Sequence, residues 1–284
     1  MIHASCLCGE VAWQAEGPLE RISHCHCSMC RKSHGAAFGT YGAARADGFR
    51  WLRGRERVRQ YQSSPGFFRP FCLSCGSVVA GEPQGGRVFM ALGCLDDDPG
   101  ARPEAHIFAS SKAVWHEIAD DLPRFDGYPP GFESPVVPDR PGLGASEGRT
   151  RGSCLCAGVA YEIEGAIESL RNCHCRRCRK ARSAAFATNG FVPVGVFRWT
   201  RGEELLDAFK VPGARYFTQT FCRVCGSILP RVDQGRGVVV IPAGSLDDDP
   251  GARVREHIFA ASKAPWYEIA DDLPQHDEYP APVS

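Results

Sequence analysis

The chain has 284 residues and carries 33 Lys and Arg against 33 Asp and Glu, so its formal net charge is zero. This balance gives no electrostatic reason to expect nucleic acid or an anionic membrane as a partner, and no apolar run approaches the roughly 18 residues of a membrane helix. Residues 1–10 lack a basic segment followed by an apolar run, so no export signal is indicated and we expect a cytoplasmic protein.

The predicted secondary structure, taken in chain order, consists mostly of short strands. Runs rich in β-branched and aromatic residues, separated by Gly, Pro and Asp clusters, predict strands at 11–15, 57–61, 67–71 and 88–92, and again at 159–163, 205–209, 216–221 and 238–241. Short helices are expected only around 30–32 and over 112–119. The pattern predicts a mainly β fold built of antiparallel sheets with few short helices.

One pattern of residues occurs twice along the chain. Seven cysteines of the first half return about 148 to 150 residues later, and the 24-residue block that begins at His106 returns at His257 with 18 of 24 positions identical. Such self-similarity indicates a duplicated domain. We therefore predict a first domain at 1–129, a Pro/Gly-rich linker at 130–150 and a second domain at 151–284.

Fifteen cysteines in a chain of this length require a choice between disulfides and metal ligation. The missing export signal, the odd number of cysteines per half and the Cys-x-Cys spacing, which suits a local disulfide poorly, all favour metal ligation. Cys94 is the exception, since Ser245 stands at the matching position of the second half. We expect Cys94 to be a small buried or partly exposed residue rather than a ligand.

Four cysteines in each half form two short pairs far apart in sequence, which is the usual way to assemble a closed, tetrahedral zinc site with a structural role. These outer cysteines are Cys6, Cys8, Cys72 and Cys75 in the first half and Cys154, Cys156, Cys222 and Cys225 in the second. Gly76 follows the first set, and we expect it to let the backbone turn tightly and direct N–H groups at the thiolates.

The remaining three cysteines of each half lie within six residues of one another. They are Cys25, Cys27 and Cys30 in the first half and Cys173, Cys175 and Cys178 in the second. Three thiolates can bind one zinc ion and leave a fourth position where chemistry occurs. The alternative is that a histidine or a water fills that position and the site has a second structural role. His26 and His174 are the nearest candidates for such a histidine. Because neighbouring residues rarely ligate one metal together, we favour an open or water-filled position.

Arg31 and Lys32 directly follow the first three-cysteine group, as Arg179 and Lys180 follow the second. A zinc ion with three thiolates has a net charge of about −1. The two cations are therefore candidates for stabilising the anionic site or for holding the carboxylates of an arriving ligand. The alternative is that they are solvated surface charges.

These motifs resemble the glutathione-dependent formaldehyde-activating enzyme family, also called the GFA or centromere-protein-V family. The resemblance rests on residues 5–11, 25–32, 71–77, 93–96 and 106–123 and covers nearly all of each half. It implies two tandem domains of the β-tent type with one structural and one catalytic zinc each, hence four zinc ions per chain. By the same match, the outer four cysteines of the first half hold the structural ion, and Cys25, Cys27 and Cys30 hold the catalytic ion.

The activity that the resemblance implies is the condensation of glutathione with formaldehyde to S-(hydroxymethyl)glutathione, formally that of a carbon–sulfur lyase. Zinc would activate the thiol of glutathione or a related substrate for attack on formaldehyde or another aldehyde, and an acid that the sequence does not identify would protonate the alkoxide. A non-catalytic zinc module that binds a protein or a thiol is the alternative. The sequence does not indicate the oligomeric state.

The two halves differ next to the predicted catalytic cysteines. Gly9, His34 and Gly35 of the first half correspond to Ala157, Arg182 and Ser183 of the second. A glycine that is lost beside a metal-binding loop can change how closely the backbone approaches. We therefore expect the first half to be the competent site, while the second half still binds its zinc ions.

Three further features are expected to be structural. His106 and His257 head an apolar segment, where a histidine more often has a structural role than a functional one. Trp115 and Trp266 are expected to pack a short helix against the sheet. The acidic runs at 96–98 and 247–249 precede Pro-Gly and indicate turns, with hydrogen bonding to a ligand amine as the functional alternative.

Overall fold

The computed structural model describes residues 1–131 and 148–280. Over these residues the chain is mainly β, with two short α-helices and mostly antiparallel sheets, which confirms the predicted fold class. No helix in the described part is long and apolar enough to cross a membrane. All fifteen cysteines are free thiols, as the metal-ligation hypothesis requires.

The first half forms one helix and three sheets. Its elements are β1 (Ile2–Ser5), β2 (Ala12–Ala15), β3 (Glu20–Cys25), α1 (Ser28–His34), β4 (Gly39–Arg45), β5 (Phe49–Arg53), β6 (Val58–Ser64), β7 (Phe67–Cys72), β8 (Arg87–Ala91), β9 (Ala105–Ile107) and β10 (Arg124–Phe125). The strand orders are β1-β2-β5, β10-β9-β3-β4-β8 and β6-β7. The pairs β3–β9 and β9–β10 are parallel, and the others are antiparallel.

The second half repeats this plan with more strands. Its elements are β11 (Arg149–Ser153), β12 (Ala160–Glu164), β13 (Leu170–Cys173), α2 (Arg176–Arg182), β14 (Ala187–Pro193), β15 (Phe197–Arg201), β16 (Leu206–Lys210), β17 (Thr218–Cys222), β18 (Ile228–Leu229), β19 (Arg231–Asp233), β20 (Val238–Pro242), β21 (Val254–Ile258) and β22 (Gln275–His276). The strand orders are β11-β12-β15, β19-β20-β14-β13-β21-β22 and β16-β17-β18.

Single turns of 3₁₀ helix connect several strands. They lie at Arg55–Arg57, Leu92–Cys94, Ala109–Ser111, Val194–Val196, Glu203–Leu205, Gln234–Arg236, Ala243–Ser245 and Ala260–Ser262. Strand β11 begins at Arg149, inside the predicted linker at 130–150, and residues 132–147 of that linker lie outside the described residues. The boundaries 1–129 and 151–284 therefore stay predictions.

The predicted strands overlap observed ones in every case, namely β2, β6, β7, β8, β12, β16, β17 and β20. The helix expected around 30–32 is α1, but the helix expected over 112–119 is wrong. There the N–H of His116 bonds to the carbonyl of Ala113 in a single turn. β-Branched and aromatic residues disfavour a helix at this place, and Pro265 excludes one from the matching segment. Trp115 and Trp266 are buried, but not as part of the helix that was predicted to pack against the sheet.

Both α-helices begin at a cysteine of a three-cysteine group. The Sγ of Cys27 accepts a hydrogen bond from the N–H of Cys30, and the helix ends at Gly35 in a left-handed conformation. Cys175 caps α2 in the same way. A side-chain acceptor at this position satisfies one of the free N–H groups of the first turn, so the cysteines and the helix form one local unit.

The two halves contact each other through corresponding residues in both directions, as in an isologous dimer interface. Lys32 of α1 pairs with Asp247 of the second half at 2.6 Å, and Lys180 of α2 pairs with Asp96 of the first half at 2.7 Å. Both lysine side chains are only 7% exposed. The acidic runs predicted as turns thus also supply the counter-charges between the halves.

A pair of glycines allows the halves to approach closely. A Cβ atom on Gly76 would lie 2.5 Å from the ring of Phe221, and one on Gly226 would lie 2.5 Å from the ring of Phe71. Both glycines also have a positive φ. Because either condition alone disfavours a side chain, glycine is required at these positions for the docking of the halves.

Candidate metal centres

Each half gathers its outer four cysteines into one cluster, in which all Sγ atoms lie within 4.8 Å of one another. The measured Sγ–Sγ separations are 3.3 Å for Cys6–Cys8, 3.7 Å for Cys8–Cys72, 3.4 Å for Cys154–Cys156 and 3.8 Å for Cys156–Cys222. Zn–S bonds of about 2.3 Å in a tetrahedron place the sulfurs about 3.8 Å apart. The donor set and its spacing therefore fit a tetrahedral, thiolate-ligated ion.

Backbone N–H groups support these clusters. The N–H of Val11 donates to Cys6 Sγ at 3.4 Å, and the N–H of Val159 donates to Cys154 Sγ at 3.2 Å. The N–H of Gly76 instead donates to the carbonyl of Cys72. The predicted N–H contacts to sulfur thus come from the residue just before the strand that follows the first cysteine pair, β2 in the first half and β12 in the second.

The three remaining cysteines of each half also form a cluster with all Sγ atoms within 4.8 Å. In the first half they lie where β3 ends and α1 begins, with Cys25 Sγ 3.6 Å from Cys27 Sγ. The described residues add no histidine or carboxylate to either cluster. Each cluster therefore gathers three cysteines that could hold one ion, and Cys94 lies outside all four clusters.

His26, considered above as a fourth ligand, belongs to a chain of two buried histidines and one partly exposed carboxylate. Its Nε2 lies 2.8 Å from Nδ1 of His106, and Nε2 of His106 lies 2.8 Å from Oδ1 of Asp120. The second half repeats the chain with His174, His257 and Asp271, at 2.8 and 3.0 Å. His106 thus contacts His26 and Asp120, and no histidine of the described residues joins the three-cysteine clusters.

A further histidine, His116, is expected to make stability depend on pH. Burial, followed by the positive charge of Lys112, lowers the pKa of His116 to about 3, whereas an unfolded histidine has a pKa of about 6.5. The unfolded state thus binds the proton more readily, and the stabilisation present above pH 6.5 or so is lost as the pH falls toward 3.

His116→Tyr, which copies Tyr267 of the second half, is expected to reduce this pH dependence. Between pH 7.5 and 5.5 the parent should lose about 1.4 kcal/mol more unfolding free energy than the variant. This is the amount expected for one histidine that takes up a proton only in the unfolded state when the pH falls to about one unit below its unfolded pKa. Urea unfolding at both pH values measures the difference. Equal losses in the two proteins would show that His116 is not held neutral by the fold.

Arg31 and Lys32, the predicted ligand-binding cations, occupy different surroundings. Arg31 is half-buried, and its Nε donates to the carbonyl of His26 at 3.2 Å. Lys32 Nζ pairs with Asp247 and donates to the carbonyl of Ser153 at 2.7 Å, so it faces the other half of the chain. These contacts do not favour the predicted role of Lys32 in holding a ligand carboxylate.

A guanidinium that the sequence did not single out lies beside the first three-cysteine cluster. Arg69 NH1 on β7 donates to Cys30 Sγ at 3.1 Å. Contacts of Cys30 with Cys25 and Cys27, followed by the charge of Arg69, hold the pKa of the Cys30 thiol well below its usual value. Arg69 thus offsets part of the negative charge of the cluster.

A phenol and an imidazole complete this environment. Tyr41 Oη lies 2.7 Å from Nε2 of His34, and Nδ1 of His34 lies 2.6 Å from the carbonyl of Arg182. Since a carbonyl only accepts, Nδ1 carries the proton and Tyr41 donates to Nε2. Burial, followed by negative charge on Cys30, raises the pKa of Tyr41 above its usual range. Tyr41 therefore stays a hydrogen-bond donor at neutral pH.

The second half exchanges all three of these residues. In place of His34, Tyr41 and Arg69 it has Arg182, Asn189 and Gln219. Arg182 donates to Asn189 Oδ1 at 3.0 Å, and Gln219 Nε2 donates to the carbonyl of Ala181. Each site thus keeps one guanidinium, but on a different element, and only the first has the phenol and imidazole. An alignment of the two halves shows these three substitutions, but it does not show that the substituted residues lie close to the cysteines.

The glycine differences change the backbone less than expected. Ala157 has a φ of 59°, in the same left-handed region as Gly9, and Ser183 has a φ of 51°, close to that of Gly35. A Cβ on Gly9 would meet no atom within 4 Å. The halves therefore differ near their three-cysteine clusters in side chains rather than in backbone path.

Comparisons with known proteins agree with this picture of two similar halves. A family described as glutathione-dependent formaldehyde-activating enzyme matches residues 1–111 and 149–262. Among solved structures, the crystal structure of a Rhodobacter sphaeroides protein is 22% identical, covers 34% of this chain and 87% of its own, and has a TM-score of 0.28. No curated protein matches this chain.

Proposed function

Because this chain belongs to the glutathione-dependent formaldehyde-activating enzyme family, we propose that its first half joins a thiol such as glutathione to formaldehyde or another small aldehyde, the reaction of a carbon–sulfur lyase. One observation carries the proposal. The first three-cysteine cluster has a guanidinium in contact with Cys30, together with a phenol and an imidazole nearby.

Zinc is the ion that we propose for all four clusters, two in each half. Thiolates are preferred zinc ligands, and four of them close a site, whereas three leave a position for substrate. When bound, zinc lowers the pKa of a thiol that coordinates to it and so supplies a thiolate at neutral pH. The outer clusters stabilise the fold, and the inner cluster of the first half is the reaction site.

The residues around this cluster have separate roles in the proposed reaction. The electron pair of the substrate sulfur forms a bond with the aldehyde carbon, and the carbonyl π electrons move to oxygen. Arg69 limits the build-up of negative charge as the substrate thiolate arrives. The Tyr41 hydroxyl turns from His34 to the new alkoxide and gives it a proton, and the phenolate regains the proton that the thiol released.

Tyr41→Phe is expected to lower kcat by about 10²- to 10⁴-fold, the usual contribution of a general acid. Binding of glutathione should change little, because phenylalanine fills the same space and no cysteine is altered. Steady-state kinetics and calorimetric titration with glutathione measure the two effects. A variant with unchanged kcat would remove Tyr41 from the reaction, and unchanged zinc content is the control for site integrity.

The activity itself is tested with zinc-loaded protein, glutathione and formaldehyde. NMR detection of the S-hydroxymethyl adduct should show formation well above the uncatalysed rate. If the rate does not exceed the uncatalysed one, the first half is a binding module and not an enzyme.

The second half fits the alternative of a module that binds a thiol without turnover. It retains three clustered cysteines, but Asn189 stands where the first half has Tyr41. An amide is not a proton donor of the kind that the proposed reaction needs. Binding without catalysis is therefore the function proposed for this cluster.

A further inference from the structure

Two connections near the second three-cysteine cluster are longer than their counterparts in the first half. Strand pairing places Leu206 opposite Cys222, as it places Val58 opposite Cys72, and the second hairpin is two residues longer. The chain between β18 and β20 is likewise one residue longer than the matching stretch before β8. The first longer connection contains Arg215, and the second contains Arg231 and Arg236.

Arg215 and Arg236 converge on one aromatic ring. The guanidinium carbon of Arg215 lies 4.8 Å from the centroid of the Tyr216 ring, and that of Arg236 lies 4.6 Å from it. Tyr216 is 44% exposed, so the group faces solvent. Cation–π contact holds both side chains in place, although their positive charges repel each other.

The arginine pair borders the second three-cysteine cluster. Phe217, next to Tyr216 in the chain, packs with Phe259 against Cys173 and Cys178. Phe259 in turn makes an edge-to-face contact with Tyr279, with ring centroids 5.1 Å apart. The cysteines are therefore flanked by aromatic rings, of which Tyr216 and Tyr279 are exposed.

Positive charge exceeds negative charge at this rim. Arg231 stands where the first half has Gly81, and Arg182 stands where it has His34. Within the described part of the chain, Arg215 and Arg231 form no ion pair, and the pair of Arg236 with Asp233 is long, at 3.8 Å. The rim therefore has guanidinium groups available to an anionic ligand, whereas the first half has glycine or no residue at the corresponding places.

We propose that the second three-cysteine cluster binds a thiol that carries at least two negative charges, with its sulfur at the cluster and its anionic groups at Arg215, Arg231 and Arg236. Guanidinium groups form strong, directional contacts with carboxylates and phosphates alike. The ligand class is therefore a polyanionic thiol, from either a polycarboxylate or a phosphorylated source. This inference rests on the metal-binding role proposed for the cluster, but not on catalysis by the first half.

The test uses the full, zinc-loaded chain with Cys27→Ser, which removes the first three-cysteine site and leaves the second. Calorimetric titration compares mercaptosuccinate, a dicarboxylate thiol, with uncharged 2-mercaptoethanol and with coenzyme A as a phosphorylated thiol. At least one polyanionic thiol should bind about tenfold or more tightly than 2-mercaptoethanol, and its affinity should fall as salt is raised. The two arms distinguish carboxylate from phosphate recognition.

Variants then locate the binding. Arg215→Gln combined with Arg236→Gln changes two exposed residues and should weaken the preferred thiol about tenfold or more, without changing the zinc content. Arg198→Gln is the matched control, because Arg198 pairs with Glu162 on another sheet and should leave the affinity unchanged. Cys175→Ser should abolish thiol binding in the Cys27→Ser background.

Equal affinity for charged and uncharged thiols, no thiol binding, or full affinity in the arginine variant would each overturn the inference. Absence of the lyase reaction in the parent chain would be a separate result, because that reaction is proposed for the first half. Binding of a polyanionic thiol by the Cys27→Ser protein would stand even if that reaction were absent.

Discussion

Replacement of Cys27 by serine is expected to reduce adduct formation from glutathione and formaldehyde to the uncatalysed rate, whereas Cys175→Ser is expected to retain most of the activity. A serine hydroxyl is not ionised at neutral pH, so the first inner cluster loses one of its three thiolate ligands. Serine is nevertheless a good helix N-cap, so α1 should keep the cap that the Cys27 sulfur supplies. The substitution therefore separates metal ligation from helix capping.

Three measurements on the two serine variants make this result decisive. NMR follows the adduct, metal analysis should show one zinc ion fewer than in the parent, and circular dichroism should show an unchanged fold. Equal loss of activity in both variants would contradict the assignment of the reaction to the first half. General unfolding of Cys27→Ser would show that the inner cluster is a structural site like the outer ones.

Asp247→Asn is expected to destabilise the chain by about 3–5 kcal/mol, the usual cost of leaving one member of a buried ion pair without its partner. Asp247 lies 2.6 Å from Lys32, and the two side chains are only 11% and 7% exposed. Removing the carboxylate leaves a buried ammonium between the halves. Urea unfolding of the zinc-loaded protein at neutral pH measures the loss.

Asp249→Asn is the matched control for Asp247→Asn. Asp249 pairs with Arg253, but both side chains are about half exposed, at 45% and 51%, so the loss should not exceed about 1 kcal/mol. The double variant Lys32→Met with Asp247→Leu should recover much of the stability, because apolar residues can replace a buried ion pair. Similar losses from Asp247→Asn and Asp249→Asn would show that the contact between the halves is not a buried one.

The cysteine pattern predicted both kinds of cluster, because ligand spacing is a local property of the sequence. Two residues separate Cys27 from Cys30, and this spacing suits both metal ligation and the first turn of α1. The repeat likewise predicted that the same clusters would occur in both halves. Strands rich in β-branched and aromatic residues, such as β20, were predicted for the same local reason.

The contact between the halves could not be predicted in this way. Lys32 follows the inner cysteines directly, so its position in the sequence favours a role at the metal site, yet its partner Asp247 lies more than two hundred residues away. The sequence predicts a glycine at position 76 for a tight turn beside the metal. The ring of Phe221 from the other half, which leaves no room for a Cβ atom there, is a second reason for glycine. Such roles depend on docking, which leaves no periodic signal in the sequence.

Neither strand β4 nor the position of Arg69 beside the cysteines was predicted from the sequence, for related reasons. Strand β4 (Gly39–Arg45) is rich in Gly and Ala, which have low strand propensity, and its place between β3 and β8 comes from close packing. Arg69 lies on a hairpin about forty residues from Cys30, and only the fold brings them together. The position of Arg69 beside the first inner cluster is therefore visible only in three dimensions.

A crystal structure of the zinc-loaded chain with glutathione would show whether the first inner cluster is a thiol-binding zinc site. We expect a zinc ion held by Cys25, Cys27 and Cys30, with the glutathione sulfur as its fourth ligand and Tyr41 facing the position of the aldehyde. A fourth protein ligand at this ion, or glutathione bound without a sulfur–zinc contact, would contradict it.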